Sequence, residues 1–204
     1  MRVTIAPLDT DALAALATSI EGWLARSAAS NPLVTAVERA LSDAGEHRWY
    51  VRLAGEEKDV TTVWLTLGQR TLRYETYVMP APEEQAAVLY EHLLRRNERL
   101  VGAHFSIGAE DAVYLRGELP VGALDEGELD RIVGSLYAYV EQCFRPLLGI
   151  GFARHFVRRD EAELDGAELD GAELDGAGLD GAGLDGAGLD GAGLDRSSVE
   201  GVGR

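Results

Sequence analysis

The spacing of apolar residues changes period several times along this chain, and each change marks an element. Leu13, Leu16, Ala17, Ile20, Trp23 and Leu24 recur at steps of three and four, which lines one face of a helix. With Asp9 and Thr10 as N-cap candidates, a helix over 10–27 is predicted. After Asn31-Pro32, the stretch 33–40 fits a short strand or a helical turn, and both readings stay open. From Arg48 the period becomes two: Trp49, Val51 and Leu53 face one way against Tyr50 and Arg52, the mark of a half-buried strand. The charged run 55–59 supplies a turn into a second strand over 62–67. Gly68-Gln69 then leads to a third, in which Leu72, Tyr74, Thr76 and Val78 alternate with Arg73, Glu75 and Tyr77. Connections this short predict antiparallel pairing.

Met79-Pro80-Ala81-Pro82 ends the third strand, because proline cannot donate to a ladder, and Pro82 is placed to be the first residue of a helix. Ala86, Leu89, Tyr90, Leu93 and Leu94 form its stripe, with Glu83 and Glu84 ahead and Arg95, Arg96 and Arg99 behind, as the macrodipole favours. This helix is expected to cover one face of the sheet. Two more strands, 104–107 and 112–119, form a hairpin about the turn 108–111, with Val113 and Leu115 opposite Tyr114 and Arg116. Asp125 and Glu128 make a capping box for the longest helix. Its stripe of Leu129, Ile132, Val133, Leu136, Tyr137, Val140 and Phe144 ends near Pro146. The order is α-β-β-β-α-β-β-α, an α+β domain.

Residues 1–156 are expected to form that domain and 157–204 to be an acidic low-complexity tail. From Ala162 to Arg196 run seven pentapeptides of the form Ala-Glu/Gly-Leu-Asp-Gly, the last ending in Arg196. Leucine every five residues makes no helical stripe, and the glycines oppose helix. The tail resembles pentapeptide-repeat proteins, with Leu164 to Leu194 at the inward position and Ala162 to Ala192 two residues before them. Seven units give less than two turns of such a β-helix, too few to bury a core. Disorder is therefore the expectation, a short β-helix stub the alternative, and calcium binding by the aspartates the least supported reading.

Charge sharpens the picture. The tail from 161 carries twelve acids against Arg196 and Arg204, and the net charges are −10 for 161–204 and −6 for 1–160. Both signs are wrong for tracking a phosphate backbone, so no nucleic-acid partner is expected. No apolar run reaches the length of about 18 residues that a membrane span needs, and the N-terminus lacks the pattern of a secretory signal, so the chain reads as cytoplasmic. Cys143 is the only cysteine, on the apolar stripe of the last helix, and reads as a small core hydrophobe. His47, His92, His104 and His155 lack metal-ligand spacing. Glu110 and Asp111, like Glu56, Glu57 and Asp59, sit at turns, where nothing desolvates an acid for proton transfer. Gly149-Ile150-Gly151 lacks the context of a phosphate loop. No catalytic, cofactor or metal site is expected.

Several segments together resemble a known family. Arg48-Trp49-Tyr50-Val51-Arg52-Leu53, Thr62-Val63-Trp64-Leu65-Thr66-Leu67, Arg70-Thr71-Leu72-Arg73-Tyr74-Glu75, Met79-Pro80-Ala81-Pro82, Leu89-Tyr90-Glu91, Leu93-Leu94-Arg95-Arg96-Asn97, Asp111-Ala112-Val113-Tyr114-Leu115 and Gly117-Glu118-Leu119-Pro120 follow in order. Over about residues 10–156 they resemble the YbjN-type sensory transduction regulator domain. The resemblance implies a fold like that of type III secretion chaperones, a twisted antiparallel sheet flanked by helices, commonly dimeric and without catalytic residues. The family pattern ends near Phe156, so the tail is a departure from it.

Trp49, Tyr50, Trp64, Tyr74 and Tyr77 lie on adjacent strands, and some must fall opposite the core stripe. Of these, Trp49, Trp64, Tyr74 and Tyr77 are the candidate partner or dimer surface; helices covering both faces would remove it. The function expected is a non-enzymatic regulatory or chaperone-like module that binds a client protein and forms a homodimer. A small-ligand sensor is the alternative.

Overall fold

A computed structural model describes residues 7–42 and 44–155. The readings made for the tail 157–204 lie outside the described residues. The first helix, α1 (Thr10–Ser30), begins where expected: the Asp9 carboxylate accepts from the Ala12 N–H at 2.8 Å, satisfying one of the amides a helix start leaves bare. It runs three residues past the predicted end and buries Ala17, Ile20, Trp23 and Leu24.

The segment with two open readings is a strand, β1 (Val34–Leu41). It pairs antiparallel with β2 (His47–Ala54), which pairs with β3 (Val60–Leu67), and that with β4 (Thr71–Met79). After α2 (Ala86–Asn97) come β5 (His104–Ile107), β6 (Val113–Pro120) and α3 (Glu126–Gly151). The sheet has six antiparallel strands in the order β1-β2-β3-β4-β6-β5. The described residues thus hold one strand more than the order read from sequence. Its alternation is weak because β1 is an edge strand, with Leu41 63% exposed.

Two further expectations are corrected. Pro82 does not open α2. The Glu83 and Glu84 amides instead donate to the Gly151 carbonyl at the end of α3, at 3.0 and 3.1 Å. Gln85 then turns left-handed (φ 50°) before the helix starts. Glu83 and Glu84 therefore serve the end of α3 and lie outside α2. Pro146 does not end α3. Proline inside a helix costs about 3 kcal/mol, but the turns beyond it bury Leu147 and seat Gly151 against Pro82, Met79 and Leu89. At the start of α3, Asp125 accepts from the Glu128 N–H at 2.8 Å, one half of the capping box.

All three helices pack on one face of the sheet. Their buried residues join Trp49, Val51, Leu53, Val63, Leu65, Leu67, Leu72, Tyr74, Val78, Val113 and Leu115 in one continuous core. Each large apolar side chain so buried contributes about 1.5–3 kcal/mol. Gly117 belongs to this inner set, opposite Tyr74 across the ladder. A side chain there would strike the Gly102 carbonyl and the Tyr74 ring, so Gly117→Ala is expected to destabilise the fold by about 2–3 kcal/mol. Gly134, on the exposed side of α3 with open space around it, gives the opposite sign: Gly134→Ala is expected to stabilise by about 1 kcal/mol. Urea unfolding of both variants checks the pair, and two shifts of the same sign would contradict the packing described.

Candidate functional site

With the helices on one side, strand alternation delivers every second side chain to the other side, which no element covers among the described residues. The ladder arranges these side chains in rows. Glu38, Tyr50, Trp64, Glu75, Arg116 and His104 form one row across all six strands. Arg48, Thr66, Arg73 and Glu118 form the next row on one side. On the other side stand Arg52, Thr62 and the Tyr77–Tyr114 pair.

The aromatic members make a continuous ridge. Tyr50 meets Trp64 edge-on at 6.0 Å, Trp64 lies 6.3 Å from Tyr114, and Tyr114 meets Tyr77 edge-on at 5.6 Å. All four rings are half-buried, and charged side chains stand among them. Arg116 lies 4.5 Å over the Tyr114 ring while its Nε donates to Glu75 at 2.6 Å, a cation–π contact with its own counter-ion. Arg52 donates to both oxygens of Glu38, at 2.7 and 3.4 Å, and Arg73 pairs with Glu46. Burial pushes the Tyr77 phenol above its ordinary range, with Tyr114 and Glu110 adding to the effect, so it stays neutral at physiological pH.

Of the four residues singled out as a surface, the structure brings Trp64 and Tyr77 to this face and takes Trp49 and Tyr74 away from it. Trp49 is 1% exposed and Tyr74 3%, both in the core under the helices. The physical reason is parity: Trp49 shares its side with Val51 and Leu53, and Tyr74 shares its side with Leu72 and Val78. The Tyr74 hydroxyl is spent inside, donating to the Gly102 carbonyl at 2.5 Å. Tyr50, Tyr114 and Arg116 belong to the face by the same alternation.

At one end of the sheet, α3 holds the β2–β3 turn by a contact no periodicity announces. Glu141 on α3 accepts from the backbone N–H groups of Glu56, Glu57 and Lys58 in the β2–β3 turn, at 2.8, 3.0 and 3.4 Å. Successive amides converging on one carboxylate form an anion nest. Lys58, the only lysine of the chain, donates its ammonium to the Tyr77 carbonyl and sits over the Tyr77 and Phe144 rings at 4.9 and 5.7 Å. Burial lowers its pKa to about 8, against a smaller opposing effect of Cys143. Cys143 is fully buried, and burial raises its thiol to about 11, which removes thiolate character at neutral pH. The histidines stay apart: His47 stacks on Trp49, His155 contacts Glu83, and His92 and His104 lie on α2 and β5. Among the described residues no three metal-ligating side chains converge. No described helix is long and apolar enough to cross a membrane. His104 and Arg116 line an open depression of about 290 Å³, whose lining does not include Glu110.

A small α+β domain with one sheet face packed and the other presenting aromatics is the class this geometry defines. The YbjN family model, described as "Putative bacterial sensory transduction regulator", matches residues 17–148, and the chain belongs to that family. Among curated proteins it is similar to "Uncharacterized protein Rv0487" of Mycobacterium tuberculosis and "Uncharacterized protein Mb0497" of Mycobacterium bovis. Each is 34% identical over 110 residues, covering 54% of this chain and 60% of theirs. "Uncharacterized protein ML2442" of Mycobacterium leprae is 32% identical over 105 residues, 52% of this chain and 57% of its own. The chain thus spans about 60% of the length of the curated relatives it matches. Among solved structures it is similar to a chain of the ExsC–ExsE complex (20% identity, 65% of this chain and 96% of that one, TM-score 0.47). It is also similar to a chain of the heterodimeric ExoU–SpcU complex from the type III secretion system of Pseudomonas aeruginosa (16%, 63%, 96%, 0.41).

The Lys58 environment has a pH signature. Its folded pKa of about 8 lies below the ordinary lysine value of 10.5, so the unfolded chain holds the proton more tightly. Below about 8 both states are charged and the cost of burying the ammonium is fully present; from there to 10.5 the folded state sheds the proton first, and stability rises with pH. The stability of the parent chain relative to Lys58→Met is therefore expected to increase across that window in urea unfolding at stepped pH. Cys143 is present in both chains and its coupling to Lys58 is smaller than the burial effect, so a flat difference between about 8 and 10.5 would contradict the buried ammonium.

Proposed function

We propose that this chain is a non-enzymatic regulatory module, chaperone-like in its action, that binds a segment of a client protein on the open sheet face and pairs with a second copy of itself. The observation that carries the reading is the ridge Tyr50–Trp64–Tyr114–Tyr77, four half-buried rings on a face with no cover among the described residues. Aromatic rings with a wet edge and an apolar face supply large contact area at low entropic cost, which is how they serve at interfaces. Membership of a family described as a sensory transduction regulator supports the regulatory part. Residues 1–156 are proposed as the binding unit and 157–204 as an appendage to it, acting in the cytoplasm, where a lone thiol such as Cys143 stays reduced. A small-ligand sensor needs an enclosed apolar pocket; the depressions on this face are open, and no observation favours that alternative.

Affinity capture with the full chain tests the reading. A protein retained in stoichiometric amount is expected to be lost with Trp64→Ala and kept with Val88→Ala, a control on the exposed side of α2. Light scattering of the same chain is expected to give twice the mass of one copy. Equal capture by both variants would remove the face from the account, and a monomer would remove the pairing.

A further inference from the structure

The arginines of the open face are not equivalent. Arg52 is paired with Glu38, Arg73 with Glu46 and Arg116 with Glu75. Arg48 makes one side-chain hydrogen bond, from Nε to the Thr66 hydroxyl at 3.0 Å, and no ion pair among the described residues. That bond uses the side of the guanidinium and leaves the two terminal nitrogens, the fork that grips a carboxylate. Arg48 lines the 290 Å³ depression with Thr66, Arg73, Glu75 and Arg116. Two residues along β2 and facing the same way is Tyr50, opposite Trp64, about 7 Å away at the rise of a strand. An unspent cation and an edge-on aromatic pair therefore stand side by side.

We infer that the segment this face takes carries an aspartate or glutamate next to an aromatic or large apolar side chain, the carboxylate on Arg48 and the apolar group on Tyr50 and Trp64. The inference rests on the reading of the open face as the client surface and adds the client's chemistry. Charge complementarity selects the partner class. A nucleic acid or other polyanion needs a run of cations, whereas here each neighbouring arginine already carries a glutamate, Glu118 stands beside Arg73, and the body is net negative. One unspent guanidinium suits one carboxylate. The aromatic pair asks for a side chain to pack against it, which a polypeptide supplies within two residues of that acid.

The full chain is used as bait for random twelve-residue peptides displayed on phage, in parallel with Arg48→Met and Trp64→Ala baits whose near-ultraviolet circular dichroism matches the parent. The expected enriched peptides place Asp or Glu within two residues of Trp, Tyr, Phe, Leu or Met. For a synthetic peptide of that kind, changing its acid to the amide is expected to weaken binding to the parent about tenfold, or about 1.4 kcal/mol, and to leave binding to Arg48→Met unchanged. Enrichment that needs Trp64 but shows no acid preference, or acid dependence that survives in Arg48→Met, overturns the inference and leaves the client-binding face standing. Absence of enrichment, or equal enrichment on Trp64→Ala, overturns both. Binding of a duplex DNA oligonucleotide at physiological salt that falls with Arg48→Met overturns the inference in favour of a polyanion.

Discussion

The packing of three helices against one face of a six-stranded sheet is the constraint from which the rest follows. Burying Leu65, Leu67, Val78, Leu115 and Val140 completely, together with the indole of Trp49, fixes which way every strand faces, since a slip of one residue would turn the apolar set outward. Once that choice is made, Tyr50, Trp64, Tyr77 and Tyr114 have no place inside. Their exposure is a consequence of the core, and ion pairs stand among them, one of which, Arg116–Glu75, seats its guanidinium over the Tyr114 ring. Each such pair contributes about 0–1 kcal/mol, so their weight lies in geometry more than in stability.

Helix α3 does more than cover the sheet. Through Glu141 it gathers three backbone amides of the β2–β3 turn, and through its last carbonyl it holds Glu83 and Glu84 ahead of α2. Asn97 performs a similar service at the far edge. Its side chain accepts from the Phe105 N–H at 2.6 Å and donates to the Phe105 carbonyl at 3.3 Å, so part of the free edge of β5 is occupied from within the chain. Unpaired strand edges invite association. The edge at β1 carries no such bridge among the described residues, and Leu41 stands exposed there.

Most of the architecture was legible in the spacing of residues. The helices, five of the six strands and the cap at Asp125 follow from periods of 3.6 and two. The remaining strand, β1, has no clear signature because an edge strand has little burial to impose alternation. At Pro82 and Pro146 proline's local preference yields to long-range contacts, the hold of the Gly151 carbonyl on Glu83 and Glu84 and the burial of Leu147. The face itself was half legible. Parity already set Trp49 with Val51 and Tyr74 with Leu72, so alternation applied strictly would have moved both inside and brought Tyr50 and Tyr114 out. The surroundings of Lys58 and the nest at Glu141 depend on residues more than eighty positions apart, and no pattern along the chain encodes them.

The distinction between an inner and an outer aromatic set can be measured with the tryptophans alone. In three variants that each retain one of Trp23, Trp49 and Trp64, the other two being phenylalanine, acrylamide quenching of the isolated chain is predicted to be several-fold stronger for Trp64 than for Trp23 or Trp49. Quenching of Trp64 as weak as that of Trp49 would mean that something covers the outer face, and the account of an open surface would fail.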